Sequence, residues 1–254
     1  MKIIFLAGKG QSTVFLYNAL KDDFDIAAVL LEDRVDSKKL IKGRIKRLGY
    51  LSVFNQLLFQ TTISKILSYF SKKRIEELKL KYNLTSDPIP QHKIINISSV
   101  NSKESMDYLQ DLNADVVIVN GTRIISNKVL KSTKAKFINT HVGITPFYRG
   151  VHGAYWALVA KDSENCGVTI HEVDQGIDTG SILKQERITV SQKDNFVTYP
   201  YHQYGAAIAP MKAVLYNIEN NMLTKQKKAS QKGKLYYHPT FTGYLYHRIF
   251  NDVK

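Results

Sequence analysis

The sequence predicts an α/β fold with a mostly parallel central sheet, and three observations carry the prediction. Lys2 to Leu6 is a short apolar run that opens into Gly8-Lys9-Gly10-Gln11-Ser12-Thr13 and a helical stretch from about Thr13 to Lys21. Further strand-like runs, Asp25 to Leu31, Lys93 to Asn96, Ala114 to Asn120 and Lys136 to Ile138, alternate with segments of helical period, as strand and helix do in α/β chains. Asn139 and His141 then fall where a strand gives way to a loop, the place where open α/β sheets hold ligands.

The N-terminal run is too short for a signal peptide and meets a glycine loop at once, so it reads as the first core strand. Gly8, Lys9, Gly10, Gln11 and Ser12 lead into a helix start, where free backbone amides and the positive end of the dipole make an anion site. The spacing is not Walker A, and Thr13 stands where Gly-x-Gly-x-x-Gly needs its third glycine. Glu32 and Asp33 end the second strand. In a dinucleotide enzyme such a carboxylate holds a ribose; here it is expected to cap a turn.

From about Val35 to Leu84, apolar residues such as Leu40, Ile41, Ile45, Leu48, Leu51, Leu58, Ile66, Phe70 and Leu78 recur at three and four positions, which marks amphipathic helices. Residues 35–84 are read as a basic helical insertion. Two accounts of it compete, a cap packed on the sheet domain or a basic surface in weak contact with an anionic membrane. Glu76-Glu77 and the shortness of the helices favour the cap.

Pro88 and Pro90 interrupt the helical pattern, and Ser102 to Leu112 reads as a helix with a serine cap. A helix over Val151 to Lys161 carries Tyr155 and Trp156. Gly167 to Glu172 and Ser181 to Arg187 read as strands, and a helix from about Tyr201 to Asn220 closes a first domain, 1–224. Residues 225–254 comprise a polar linker, Lys225 to Lys234, and a tail with Tyr236, Tyr237, Phe241, Tyr244 and Tyr246. Aromatics in so short a tail must pack on this chain or on a second copy in a homodimer.

Composition bounds the function. The chain has 254 residues and a net charge of +14, and much of the excess lies between Lys38 and Lys81, where only Glu76 and Glu77 are acidic. Such a balance favours phosphates, whether of nucleotides, nucleic acid or lipid, and a solvated lysine-rich surface is the plain alternative. Recognisable nucleic-acid modules are missing, so no specific nucleic-acid partner is expected. The single cysteine, Cys166, excludes a disulfide framework within the chain and a cysteine-based metal site. The histidines lack short ligand spacing, so no metal is expected. No apolar run approaches membrane-spanning length, and a cytoplasmic protein is expected.

Asn139 and His141 are two apart in an extended segment, so their side chains leave the same face of the chain. Asp178, in a glycine-flanked loop, offers a carboxylate that orients an imidazole and keeps it protonated near neutral pH. An amide donor, an imidazolium and a carboxylate suit acyl transfer to an amine, because charge develops on the carbonyl oxygen while the attacking nitrogen loses a proton. Taken singly, each residue has an ordinary alternative: a turn-closing Asn139, a satisfied His141, an Asx-turn Asp178.

The joint pattern is more specific. Asn139-x-His141, Pro146, Tyr148-Arg149-Gly150, Gly167-Val168-Thr169-Ile170-His171 and Gly176-Ile177-Asp178-Thr179-Gly180 together resemble the formyltransferase family. That family includes glycinamide ribonucleotide transformylase, methionyl-tRNA formyltransferase and the sugar N-formyltransferases, all users of 10-formyltetrahydrofolate. The match has good spacing from about Ala114 to Leu183 and is looser from Met1 to about Asn220.

The resemblance implies a Rossmann-like formyltransferase fold with 10-formyltetrahydrofolate as co-substrate. By that likeness Arg123, Ile124, Ile125, Gly143, Ile144, Thr145, Pro146, Val173 and Asp174 fall to the folate. Gly8, Lys9, Gly10, Gln11, Ser12, Tyr148 and Arg149 fall to the acceptor. Asn139 and an imidazolium of His141 would donate to the carbonyl oxygen, and Asp178 would keep His141 charged and help take the amine's proton. His171 and His152 are lesser candidates, with packing the main expectation for His171.

Three acceptors compete. Methionyl-tRNA formyltransferases usually carry a second, β-rich domain, for which nothing past Asn220 is long enough. Glycinamide ribonucleotide transformylases are shorter and lack the helical insertion and aromatic tail. The sugar N-formyltransferases of surface polysaccharide and lipopolysaccharide pathways vary in these regions, so a nucleotide-linked amino sugar is the expected acceptor. A non-catalytic folate-binding or nucleic-acid-binding protein is the alternative from another class.

Overall fold

The structure is a computed structural model that describes residues 1–224 and 233–254; the expected linker falls, over 225–232, outside the described residues. The chain begins with β1 (Lys2–Gly8), α1 (Gln11–Leu20) and β2 (Asp25–Glu32). Four helices follow, α2 (Ser37–Leu48), α3 (Tyr50–Thr61), α4 (Ile63–Phe70) and α5 (Lys72–Lys81). Then come β3 (Ile94–Ile97), α6 (Lys103–Leu112), β4 (Val116–Asn120), α7 (Asn127–Leu130), β5 (Lys136–His141), β6 (Tyr148–Gly150) and α8 (Gly153–Val159). The last elements are β7 (Gly167–Glu172), β8 (Ile182–Arg187), α9 (Tyr199–Glu219), β9 (Lys234–Tyr236) and α10 (Phe241–Phe250).

Seven strands form one sheet in the order β3-β2-β1-β4-β5-β7-β8. The first five are parallel, β7 pairs antiparallel with β5, and β8 pairs antiparallel with β7. Alternation along buried strands feeds two cores. Ile3, Phe5 and Ala7 of β1 pack with Leu16 of α1 and Met211 and Leu215 of α9, while Ile4 and Leu6 pack with Met106 and Leu109 of α6 on the other face. The chain winds outward from β1 to β3 and returns to β4 on the opposite side of β1, so the strand order reverses between β1 and β4. That reversal opens a crevice at the carboxyl ends of these strands. Here the backbones close up: a Cβ on Gly8 would lie 2.4 Å from the Gly121 carbonyl oxygen, an approach only glycine permits.

A third core lies outside the sheet. Phe59 of α3, Tyr155 of α8, Phe196 and Tyr244 of α10 bury one another, with Phe59 edge-on to Phe196 at 4.8 Å. The 35–84 segment therefore packs on α9, α10 and the third core. Arg74 of α5 holds the Asp194 carboxylate through two hydrogen bonds of 2.8 and 3.1 Å, and Tyr82 lies where a Cβ on Gly205 of α9 would be, 2.1 Å from its ring. Its outward face keeps Tyr50, Leu51, Phe54, Tyr69 and Phe70 exposed. The tail packs on its own chain: β9 pairs in parallel with β6, and Tyr236 stacks on Trp156 and Tyr148. Tyr246, Ile249 and Phe250 stay exposed. Among the described residues no helix is long and apolar enough to cross a membrane.

One local expectation shifts and another holds. β5 extends through Asn139 to His141 instead of ending at Ile138, because the antiparallel partner β7 continues the ladder to the His141–Thr169 pair. Glu32 caps as expected, accepting from the Val100 and Arg123 N–H groups at 2.8 and 3.1 Å.

Candidate active site

The register of β5 against β7 sets Asn139 opposite His171. Their amide nitrogen and ring Nε2 are 3.1 Å apart. His171 Nδ1 lies 2.7 Å from the Glu172 carbonyl oxygen, so Nδ1 carries the proton of the neutral ring and Nε2 accepts from Asn139. The Asn139 amide is thereby held at the strand end with its second N–H unengaged by that bond.

Asp178 completes the cluster from a left-handed turn (φ 51°), a conformation Asp adopts more readily than most residues. Its Oδ2 accepts from the Gly150 N–H at 2.8 Å. The same carboxylate lies 3.4 Å from His141 Nδ1 and 3.6 Å from His171 Nε2. Burial pushes the Asp178 carboxyl up, but the two rings and the Gly150 N–H outweigh it and hold the group below the usual carboxylate range.

His141 behaves differently from the expectation that Asp178 keeps it charged. Burial, the largest influence, draws its pKa below the ordinary histidine value, against the Asp178 carboxylate and the Tyr148 carbonyl that favour the charged form. With only 4% of its side chain exposed, the ring loses more hydration on ionising than those two partners restore. Its Nε2 lies 2.7 Å from the Tyr148 carbonyl oxygen, so Nε2–H donates there in the neutral ring. Gly143 makes room for this bond: a Cβ on it would lie 2.3 Å from the Tyr148 oxygen and 2.7 Å from His141 Nε2.

The cluster opens on a cavity of about 460 Å³. Of the residues singled out in the sequence, Asn139, His141, Asp178, Arg123, Ile124, Ile125, Val173, Asp174 and the lesser candidate His171 line it. Arg123 turns its guanidinium away, onto Glu32 at 2.6 Å and the Asp33 carbonyl at 2.9 Å. Asp174 accepts from the Gly176 N–H and the Thr179 hydroxyl, which shapes the loop carrying Asp178.

Other assigned residues sit elsewhere. Gly143, Ile144, Thr145 and Pro146 form the turn behind His141, with Thr169 Oγ1 donating to the Gly143 carbonyl and accepting from Thr145 N–H. Tyr148 buries its ring in the third core and donates its hydroxyl to Asp162 at 2.8 Å, so only its carbonyl serves the site. Arg149 lies off the cavity lining, its Nε buried without a partner. Gly8, Lys9, Gly10 and Ser12 border a neighbouring hollow with Asp33 and Arg34, where Lys9 pairs with Asp33 at 2.7 Å, and Gln11 accepts from the Tyr201 hydroxyl. The two hollows share Gly121, Thr122 and Arg123. His152 packs on Phe196 and lies 2.9 Å from His238 Nδ1.

His171, a lesser candidate expected mainly to pack, enters the site through strand register, and two contributions were not anticipated. Arg44, Arg47 and Gln56 reach the cavity from the insertion, and Leu235 to His238 from the tail. The basic, aromatic character of both segments was legible; their convergence was not.

The sequence model of the formyl transferase family matches residues 57–203. The chain is 29% identical over 123 residues to a GDP-perosamine N-formyltransferase of Brucella melitensis, covering 48% of this chain and 47% of that protein. It is 34% identical over 118 residues to a methionyl-tRNA formyltransferase of Ehrlichia ruminantium, covering 46% and 39%. The chain thus spans about half the length, or less, of the curated relatives it matches. In structure it is similar to a sugar N-formyltransferase from Shewanella, with a TM-score of 0.57 and 16% identity over 93% of this chain and 76% of that one, a likeness of fold.

Proposed function

The chain belongs to the formyl transferase family, and from that premise we propose that it moves a formyl group from 10-formyltetrahydrofolate to the amine of a nucleotide-linked amino-deoxy sugar, within surface polysaccharide synthesis. The observation that carries the proposal is the convergence of Asn139, His141, His171 and Asp178 at one end of a single cavity.

The cavity suits a flat heterocycle. Val119, Ile125, Val142 and Val173 give it apolar walls, and the backbone of Thr122 to Ile125 supplies polar groups at its edge. Bound there, the folate would supply a formyl carbon already activated for attack by an amine. The chain's own part follows from the geometry. Asn139, fixed by His171, donates its second N–H to the carbonyl oxygen as negative charge grows on it. Asp178, ionised and facing the same space, accepts the proton that the attacking amine loses, and a proton returns to the folate nitrogen as its bond to the formyl carbon breaks and tetrahydrofolate would leave. His141, neutral, donates Nε2–H to the Tyr148 carbonyl and turns Nδ1, an acceptor in that form, toward Asp178, and the Gly150 N–H holds the carboxylate in place. Two substrates kept together in this geometry account for much of the remaining acceleration.

Incubation with 10-formyltetrahydrofolate and a panel of nucleotide-linked amino sugars, ribosylglycinamide phosphate and methionyl-tRNA, read by mass spectrometry, tests the proposal. A formyl adduct on a nucleotide sugar is the expected result; an adduct only on another acceptor removes the sugar. The proposal also includes a peripheral contact with an anionic membrane, supported by exposed Tyr50, Leu51, Phe54, Tyr69 and Phe70 beside Lys65, Lys72 and Lys73. Self-association through the same surface would oppose basic faces. Sedimentation with anionic and neutral vesicles tests it, and equal binding to both refutes it.

A further inference from the structure

One wall of the cavity lies outside the motif that identifies the family. Arg44 and Arg47 are three residues apart on α2, on neighbouring positions of one helix face, and both line the cavity. Among the described residues neither is paired with a carboxylate; Arg47 meets only the Gly43 carbonyl of its own helix. Arg44 is half-buried, and burial together with the Arg47 charge lowers its pKa, yet a guanidinium remains cationic. Two cations side by side at a cavity mouth, without a counter-charge, repel each other until an anion arrives.

Gln56 of α3 adds an independent signal. It is 4% exposed, its Nε2 donates to the His238 carbonyl at 2.9 Å, and its Oε1 is buried with no partner while the residue lines the cavity. An unmatched buried acceptor costs about 1–3 kcal/mol, and a ligand hydroxyl or N–H would relieve it.

We propose that Arg44, Arg47 and Gln56 form the acceptor subsite, the two guanidiniums taking the diphosphate of a nucleoside-diphosphate sugar and Gln56 Oε1 accepting a hydrogen bond from the same ligand. This deepens the acceptor class proposed above and rests on it. Arginine is suited to the task because its planar fork binds phosphate oxygens in pairs. The insertion is then a recognition element, and it reaches the cavity beside the tail residues Tyr236 to His238. The folate's own carboxylates are the competing anion, but the apolar slot assigned to its ring lies along Ile125 and Val173, in the loops that follow β4 and β7.

The test is calorimetric titration of the full chain with UDP, GDP and dTDP, and separately with 5-formyltetrahydrofolate. R44Q/R47Q is expected to weaken the best-bound diphosphate by about tenfold to a hundredfold, as loss of charge-assisted bonds does, and to leave folate affinity within about twofold. K38Q/K39Q removes the same charge from the same helix away from the cavity and is expected to change neither. Equal weakening by both double variants, loss of folate binding in R44Q/R47Q, or no diphosphate binding by the wild type would each overturn the subsite. Diphosphate binding without formyl transfer to any nucleotide sugar would instead sink the proposed function and leave the subsite standing.

Discussion

Asn139 and His171 face each other across the β5–β7 ladder with 3.1 Å between amide nitrogen and ring nitrogen. The amide is therefore oriented by the protein before any substrate arrives. Replacing His171 with alanine frees the amide to rotate. The expected outcome is a fall in kcat of about tenfold to a hundredfold, smaller than loss of the donor itself, with 5-formyltetrahydrofolate affinity unchanged by calorimetry. An unchanged kcat would remove His171 as a positioning residue.

Asp178→Asn keeps the shape and suits the left-handed turn, but cannot accept the amine's proton. Formyl transfer is expected to drop by about a hundredfold to a ten-thousandfold, and the fold loses the stabilisation that the depressed carboxyl gives near neutral pH. Activity within a few-fold of wild type would deny the carboxylate its role.

Gly143→Ala places a methyl group against the Tyr148 carbonyl and His141 Nε2. The His141–Tyr148 bond must lengthen or the turn must shift, so activity should fall although the cavity lining is untouched. Crystal structures of the two forms would show the displaced imidazole, and an undisturbed His141 would refute the account.

Asp194→Asn loosens the insertion. The carboxylate, with no side-chain exposure, is held well below the usual carboxylate range: burial opposes this, but Arg74, Ser191 and His202 outweigh it. Removing its charge should cost about 3 kcal/mol, as breaking a buried pair does, and expose α5 to limited proteolysis. A depressed carboxylate stabilises above its unfolded pKa of about 3.9 and loses that contribution as pH falls through the folded value. The stability gap between wild type and variant should therefore narrow below about pH 4.

His152 supplies the opposite end of the acid range. Burial, with a smaller effect of His238, pushes it down to about 3. The unfolded chain takes up a proton near pH 6.5 that the folded chain refuses, so stability declines as pH falls from about 6.5 toward 3. His152 adopts φ 58°, which asparagine tolerates, and H152N should flatten this decline in urea titrations. An identical slope would contradict it.

Much of this molecule was legible in one dimension. Strand runs such as Ala114 to Asn120 declared themselves because a strand buried on both faces is apolar throughout, and the Ser102 cap because its hydroxyl answers an unpaired helix N–H, that of Ser105 at 3.1 Å. The residues Asn139, His141 and Asp178 were legible because their spacing follows a family pattern. Local sequence thus determined the elements, their order and the chemistry-bearing side chains, since these depend on near neighbours and on period. What tertiary structure alone decided is how distant segments meet. Register placed His171 against Asn139, burial drew the His141 pKa down, and residues 35–84 and the tail folded over the cavity to bring Arg44, Gln56 and His238 together. Desolvation and cross-strand pairing depend on what surrounds a residue in space, and that is set by the whole packed chain.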